Sequence, residues 1–225
     1  MEYAKIRELL AVSRSIKGRM ETTLYHMTHI DNLPGILQAG RIFCDRQAAA
    51  HQKRSVAYHS YKQCRRERVV PVEPGGMIAD YVPFYFAPLS PMLYVIHIGR
   101  VDPSVRQSEI VYLTTTVRTI VQAQKPCVFS DRHPLRFSAR FSNNIDQLDQ
   151  YVDWSVMRSE RWHDTPLQPN RKSLRQAEFL VHQAVEWTLV EQLGVYNDAM
   201  QQRVEAILQA CDHRPPVVVK RNWYY

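Results

Sequence analysis

The sequence lacks the features that would assign it to several common classes of protein. No apolar run reaches the roughly 20 residues that cross a membrane, and from the mixed charges of residues 1–5 we expect no secretory signal. The four cysteines are scattered and form no CxxC pair, which argues against a zinc site or a disulfide framework and favours reduced thiols. Neither a GxGxxG after a strand nor a P-loop motif occurs, so a Rossmann fold or P-loop is not predicted. We expect a cytoplasmic protein with no membrane span and no metal.

The basic surplus is confined to the first third of the chain. The formal net charge is +7, and residues 1–70 hold 13 Lys and Arg against 6 Asp and Glu, whereas residues 71–225 hold 16 of each. The surplus is densest from Lys53 to Arg68. A local basic patch suits a polyanionic partner, although a solvated charged face is the alternative.

The chain length and the mixture of patterns predict a single α+β domain spanning residues 1–225. The strand-like segments are 22–28, 81–87, 92–98, 109–117, 127–130, 176–185 and a closing strand in 215–225. The helix-like segments are 4–17, 31–40 with Asp31 as N-cap and Gly40 as its end, 145–157 from about Asn144, 185–194 and 198–211. Residues 41–76 have little periodicity and are interpreted as a long, mobile, basic segment of the kind that is usually functional.

Polar and aromatic residues gather in two motifs. In LYHMTHIDNLPGIL, His26 and Thr28 share one strand face beside a helix start, which suits a ligand with phosphates or amides; surface histidines are the alternative. In DYVPFYFAPLSPMLY, Tyr81 and Tyr85 are candidates for a wall that stacks on a planar ring, held rigid by prolines. Core packing is the alternative there, and we favour it for the phenylalanines.

Two further motifs carry charge. CRRER, residues 64–68, supplies guanidinium groups that match a diphosphate or a nucleic-acid backbone, although an exposed charge run is the alternative. In QAEFLVHQAVEW, Glu178 precedes an apolar run and is either a strand-rim residue or a catalytic carboxylate. Glu186, eight residues later, is predicted to be a structural charge in the first turn of a helix.

Taken together, these motifs and the terminal WYY resemble the DarT family of DNA ADP-ribosyltransferases, toxins that are paired with the DarG macrodomain antitoxin. The resemblance runs collinearly from about Leu24 to Tyr225 and leaves out residues 1–21. It implies an ADP-ribosyltransferase fold, in which a split β-sheet core forms a cleft for NAD⁺ as co-substrate. It also implies transfer of ADP-ribose to a base, typically thymine, in single-stranded DNA.

The resemblance also assigns site residues. It implies that Glu178 is the catalytic glutamate and Arg65 the essential arginine, with a register that leaves adjacent Arg66 open. The residues it places around NAD⁺ are His26, Thr28, Asn32, Tyr81, Tyr85 and Met92. The residues expected to meet the DNA strand are His133, Arg132, Asp131, Lys53, Arg54, Lys62, Arg66 and Arg68, since phosphate neutralisation and stacking surfaces are what single strands require.

The loop after the strand at 127–130 departs from the family pattern. It reads Ser130-Asp131-Arg132-His133-Pro134, where the most similar relatives read Ser-Asp-Gly-His-Ala. Arginine in place of glycine removes a flexible joint and adds a charge beside the DNA, so we expect the target sequence to be affected. The alternatives left open are a guanine, RNA or protein target, or a catalytically silent nucleic-acid-binding relative.

Overall fold

The computed structural model describes residues 18–48, 51–56 and 59–225. The helix predicted over residues 4–17 lies outside this range. Within it, no helix is both long enough and apolar enough to cross a membrane.

The main sheet is nearly all antiparallel. Its strands are β1 Thr23–His29, β3 Tyr81–Tyr85, β4 Ile110–Thr116, β5 Cys127–Ser130, β6 Phe141–Ser142, β7 Glu178–His182, β9 Gln192–Val195 and β10 Val217–Val219. They are ordered β10-β9-β4-β1-β3-β7-β5-β6, and β10 runs parallel to β9. A second pair joins β2 Arg41–Phe43 to β8 Ala184–Glu186. The mixture of these strands with short helices confirms the predicted α+β class.

The helices are short and pack around the sheet. They are α1 Leu33–Ala39, α2 Asp45–Ala48, α3 His59–Glu67, α4 Pro91–His97, α5 Val117–Gln122, α6 Leu148–Tyr151, α7 Trp154–Arg158, α8 Arg171–Leu174 and α9 Asp198–Leu208.

The sheet nearly divides between β1 and β3. β1 pairs with β4 along its whole length, from Thr23 opposite Thr116 to His29 opposite Ile110. With β3 it shares a single register pair, Tyr25 opposite Tyr85. β3 then pairs along its length with β7, which sets Tyr85 opposite Glu178. A cleft therefore opens where β1 and β3 separate, and the first residue of β7 lies beside it.

The core explains why the strands adopt this register. Phe84, Phe129 and Phe179 are at most 1% exposed and lie in one apolar cluster across β3, β5 and β7. The C-terminal aromatic residues pack against β1, β4 and β9. Gly194 in β9 permits this packing, because a Cβ there would collide with the ring of Trp223.

Two sequence predictions of secondary structure are wrong. The segment 92–98, predicted as a strand, lies in α4 except for its last residue, because the Ser90 hydroxyl accepts from the Leu93 N–H at 3.1 Å and Pro91 occupies the first turn. Residues 185–194, predicted as a helix, form the end of β8, a 3₁₀ turn and β9, because β2 and β4 offer strand partners. Tertiary pairing outweighs local propensity here.

Other boundaries differ in detail. α1 ends at Gly40 in the left-handed conformation (φ 66°), as predicted, but it begins after Asn32, so Asp31 is not its N-cap. Residues 41–76, predicted to have little regular structure, contain β2, α2 and α3. The helix predicted over 145–157 is divided into a 3₁₀ turn, α6 and α7, and Asp153 caps α7 by accepting from two backbone N–H groups.

Candidate active site

A cavity occupies the cleft between β1 and β3. It spans about 1110 Å³, including space that is open to solvent. Described residues of β2, α2, the stretch 51–56 and α3 line one side of it, and these form its cover. Among the residues of its wall are His26, Thr28, Asn32, Asp45, Lys62, Arg65, Tyr85, Met92, His133 and Glu178.

Glu178 and Arg65 meet inside this cavity, although 113 positions separate them in the chain. Glu178 is 3% exposed, and its backbone N–H donates to the Ser130 hydroxyl at 3.1 Å, which holds the start of β7. Arg65 projects from α3, and its Nη1 lies 3.0 Å and 3.2 Å from the two carboxylate oxygens of Glu178. Arg66, the other candidate in the sequence register, is exposed and does not line the cavity.

Asp45 holds the other side of the guanidinium. Its Oδ2 lies 2.8 Å from Arg65 Nε, as an ion pair rather than a linear hydrogen bond. Arg65 is thereby fixed between two carboxylates, Asp45 and Glu178. The Nη2 of Arg65 is buried and has no hydrogen-bond partner among the described residues, so this donor remains available to a ligand.

The electrostatics keep the guanidinium charged. Burial opposes the charge of Arg65, but Glu178 and Asp45 outweigh burial and raise its pKa. Burial raises the pKa of Glu178, and Arg65 opposes that rise by attraction and hydrogen bonding. Burial and the nearby Glu178 charge raise the pKa of Tyr85, whose phenol therefore stays protonated. The site combines a fixed cation with a buried carboxylate.

His133 is a neutral hydrogen-bond donor in the cavity wall. Burial, reinforced by the Arg65 charge, lowers the pKa of His133 to about 4. Its Nδ1 lies 3.2 Å from the Leu135 backbone N–H and accepts from it. A neutral imidazole that accepts at Nδ1 carries its proton on Nε2, so His133 offers an N–H to a ligand.

Most of the residues predicted to surround NAD⁺ line the cavity. His26, Thr28, Tyr85 and Met92 lie in its wall. Burial lowers the pKa of His26, although its Nδ1 lies 2.9 Å from the Pro83 carbonyl, which opposes the shift.

Two residues of that prediction are placed differently. Asn32 is in the wall, but its side-chain oxygen accepts hydrogen bonds from the backbone N–H groups of Lys53 and Arg54, both at 2.9 Å. Asn32 therefore holds this part of the cover in place. Tyr81 is fully buried outside the lining, and its hydroxyl donates to the Gly75 carbonyl.

The residues predicted to meet DNA are dispersed. Lys62 lines the cavity and donates to Gln52 at 3.1 Å, whereas Lys53 is exposed at the cover. Arg54 pairs with Asp31 at 3.3 Å, which leaves it less available to phosphates.

The loop from Asp131 to Arg140 is closed by a buried charge. Asp131 is 1% exposed, and its carboxylate accepts from the Arg140 N–H at 3.0 Å and from Arg140 Nε at 2.9 Å. Arg132 pairs with the same carboxylate at 3.2 Å. Asp131 therefore shapes the loop and does not lie on an exposed DNA surface.

A second depression, the side groove, adjoins the cavity. It holds about 1370 Å³, and the two share the residues Tyr61, Met92, His133 and Leu135. Its other wall residues include Cys64, Glu67, Arg68, Arg136, Lys172 and Gln176.

Sequence reasoning missed Asp45 and the side groove. Asp45 is the first residue of α2, a position at which an aspartate ordinarily complements the helix dipole, so only the fold reveals its contact with Arg65. Glu186, predicted to begin a helix, instead ends β8, and it forms an ion pair with Lys125 at 2.8 Å. Within the described ranges, no cluster of three or more His, Cys, Asp or Glu is arranged to hold a metal ion.

Comparisons with known proteins agree with the resemblance seen in the sequence. Residues 25–225 match the family model described as "DarT: ssDNA thymidine ADP-ribosyltransferase, DarT". A DNA ADP-ribosyl transferase of Thermus sp. (strain 2.9) is 40% identical over 206 residues, covering 91% of this chain and 96% of the relative. One of Mycobacterium tuberculosis is 36% identical over 205 residues, covering 90% and 88%.

Solved structures are similar in fold. Thermus sp. 2.9 DarT in complex with ADP-ribosylated ssDNA superposes with a TM-score of 0.86 at 38% identity, covering 91% of this chain and 97% of that one. The same protein in complex with NAD⁺ gives a TM-score of 0.83 at 37% identity, covering 91% and 98%.

Proposed function

The chain belongs to the DarT family of ssDNA thymidine ADP-ribosyltransferases, and from that premise we propose that its cavity binds NAD⁺ and that Glu178 and Arg65 carry the transfer. The protein is an NAD-dependent DNA ADP-ribosyltransferase. The observation that supports the residue assignment is the contact between Glu178 and Arg65 inside this cavity.

The cavity residues fit NAD⁺. The buried Nη2 of Arg65 is a donor without a partner among the residues that the structure describes, and it suits a phosphate or ribose oxygen. Tyr85 and Met92 supply apolar and aromatic surface for a planar ring in the same wall. His26 and Thr28, both in β1, add polar atoms to the wall.

Cleavage of the bond between nicotinamide and ribose develops positive charge on the ribose, as glycoside cleavage does. Glu178 lies where a buried carboxylate stabilises that charge, and desolvation strengthens the interaction. Arg65 favours the ionised form of Glu178 and fixes the orientation of its carboxylate, and Asp45 fixes Arg65 in turn.

Transfer also requires that a thymine ring nitrogen approach the ribose and lose its proton as the new bond forms. His133 is proposed to orient the base, since its Nε2–H matches a carbonyl oxygen of thymine. Glu178 is the proposed acceptor of the proton, because burial raises the pKa of this carboxyl.

We also propose that the protein acts as the toxin of a toxin–antitoxin pair in the cytoplasm, where its DNA substrate is found. The proposed partner is a macrodomain antitoxin similar to DarG. The test is expression in a bacterial host with and without such a macrodomain. Growth arrest that the macrodomain relieves, and that Glu178→Ala abolishes, is expected; unimpaired growth with active protein contradicts the toxin role.

The experiment that tests the activity uses purified protein, labelled NAD⁺ and separate single-stranded DNA, RNA and protein substrates. Label is expected in thymine-containing single-stranded DNA. Label in guanine, RNA or protein instead identifies the corresponding alternative target. Labelling of no substrate, with NAD⁺ bound, indicates a catalytically silent relative.

A further inference from the structure

Ser130 ends β5 with a side chain that joins two parts of the active site. The residue is fully buried. Its hydroxyl accepts from the Glu178 backbone N–H at 3.1 Å and donates to the Arg132 carbonyl at 2.8 Å. A buried hydroxyl that is satisfied both as acceptor and as donor has a fixed orientation. It connects the first residue of β7 to the loop that carries His133.

The hydroxyl makes this connection where β5 and β7 part. The register between the two strands ends with Phe129 opposite Phe179, while Ser130 continues to pair with Phe141 of β6 on its other side. One residue nearer the cavity, the N–H of Glu178 therefore meets a side chain of β5. Replacement of that side chain removes the connection without breaking a strand pair.

The loop beyond Ser130 is closed on itself. The Asp131 N–H donates to the Arg140 carbonyl at 3.1 Å, and the Asp131 carboxylate accepts from the Arg140 N–H and Nε. The His133 N–H donates to the Ser173 carbonyl at 2.9 Å, in the segment that leads to β7. The loop is thus attached beside β7 through the Ser130 hydroxyl and through the His133 backbone. Of these two attachments, the first is made by a side chain.

Glu178 is also held independently of the loop. Its carboxylate contacts Arg65 Nη1 at 3.0 Å and 3.2 Å, and its backbone pairs with Tyr85 in β3. Loss of the Ser130 hydroxyl should therefore leave the carboxylate in place, whereas the loop loses an attachment close to His133. The imidazole then shifts relative to the carboxylate.

Hydrolysis and transfer depend differently on these two groups. When the bond between nicotinamide and ribose breaks, nicotinamide leaves with the bonding electron pair. The ribose carbon then forms a bond either to the oxygen of water or to a ring nitrogen of thymine, and the acceptor loses one proton in both cases. Glu178 serves the bond cleavage, but capture by thymine also requires that His133 hold the base in line.

We infer that Ser130 is a positioning residue that couples Glu178 to the loop of His133 and so determines how much of the cleaved ADP-ribose reaches DNA rather than water. This inference rests on the proposed function. Ser130 is not part of the cavity wall, so it acts through the loop and not on the substrate.

The test measures nicotinamide release and DNA-bound ADP-ribose in one reaction with saturating single-stranded oligonucleotide, which together give the ratio of transfer to hydrolysis. Ser130→Ala is expected to lower this ratio about tenfold, the factor that a hydrogen bond of ordinary net strength supplies. Nicotinamide release without DNA, and NAD⁺ affinity by calorimetry, should change little. Ser130→Thr should keep the wild-type ratio, because threonine carries a hydroxyl on the same carbon. Ser130→Cys should resemble alanine, since a thiol is a weak donor and acceptor, and it provides the same readout if the alanine variant does not fold.

Ser142 provides a matched control on the adjacent strand. It is 5% exposed, and its hydroxyl likewise accepts from a backbone N–H, that of Asn144 at 3.1 Å, and donates to Gln147 Oε1 at 2.7 Å. Ser142→Ala should lower the melting temperature by an amount comparable with that of Ser130→Ala. It should leave the ratio at the wild-type value, because its hydroxyl joins β6 to the 3₁₀ turn that follows it.

A double variant tests the route of the effect. In a His133→Ala background the base has already lost its orienting group, so Ser130→Ala should lower the ratio little further. A full additional fall overturns the inference. So does a wild-type ratio in Ser130→Ala, an alanine-like ratio in Ser130→Thr, or an equal fall in Ser142→Ala.

The wild type separates the two levels of proposal. If it labels single-stranded DNA and Ser130→Ala has the same ratio of transfer to hydrolysis, the inference alone fails. If the wild type releases nicotinamide but labels no single strand, the proposed function fails.

Discussion

Arg65 and its neighbour Arg66 provide a matched pair for testing the catalytic assignment. Arg65 is buried between Asp45 and Glu178, whereas Arg66, one residue later on the same helix, is exposed. Arg65→Ala leaves two carboxylates in the cavity without their cation. Removal of one partner from a buried ion pair typically costs about 3–5 kcal/mol, which in a chain of this size lowers the melting temperature by about 6–20 °C.

The effect on catalysis should exceed the effect on folding. Without Arg65, the pKa of Glu178 rises further, and the carboxylate loses the contact that fixes its orientation in the cavity. Loss of such an electrostatic group typically slows a reaction by about 10²–10³. Arg65→Lys should not restore the rate, since an ammonium cannot contact Glu178 and Asp45 at once as the guanidinium does.

The assay is single-turnover transfer of labelled ADP-ribose to a single-stranded oligonucleotide, with thermal unfolding of each variant in parallel. The double variant Arg65→Ala with Glu178→Gln should melt higher than Arg65→Ala alone, because one uncompensated charge has been removed. Arg66→Ala should transfer and melt like the wild type. The reasoning is refuted if Arg65→Ala keeps the wild-type rate, or if both alanine variants lose activity equally.

Four further perturbations test separate parts of the structure. Glu178→Ala should abolish transfer while NAD⁺ affinity, measured by calorimetry, stays within a few-fold of the wild type; retained transfer would remove Glu178 from the mechanism. Asp45→Asn should slow single-turnover transfer about tenfold by loosening Arg65, and an unchanged rate would show that this ion pair is dispensable. The pKa of His133 is lowered to about 4 in the folded protein. Its neutral form therefore contributes stability above the unfolded pKa of about 6.5, and this stability is lost as the pH falls towards 4. His133→Gln should flatten the profile of melting temperature against pH between these two values, and a profile identical to that of the wild type would contradict the shift. Gly194→Ala should destabilise the fold by about 1–3 kcal/mol in denaturant titration through collision with Trp223, and wild-type stability would refute the close packing.

Local signals in the sequence were sufficient for elements whose limits are set by their own residues. Gly40 ends α1 because only a residue without a Cβ adopts φ 66° at no steric cost. β1 and β4 were predicted because each carries its own strand pattern. The segment 92–98 has a strand-like composition, but the cap at Ser90, two residues upstream, determines that it is helical.

The site could be predicted only where it is encoded in motifs. The resemblance placed Glu178 and Arg65 in one site, and the fold brings them within 3.0 Å of each other. It did not reveal Asp45, whose partner is 20 positions away on another helix, or the exclusion of Tyr81 from the cavity. The first depends on the tertiary contact between α2 and α3, and the second on the burial of Tyr81 in a separate apolar cluster with Val70 and Ile78. Periodicity carries no information about either.

The most direct measurement of the central claim is mass spectrometry of a thymine-containing single-stranded oligonucleotide after incubation with NAD⁺ and the purified protein. The wild type should add one ADP-ribosyl group to a thymine base, and Glu178→Ala should add none. The same sequence in a perfect duplex should react poorly, because extrusion of a paired base costs a few kcal/mol. An unmodified single strand, together with a modified RNA, protein or duplex, would contradict the account.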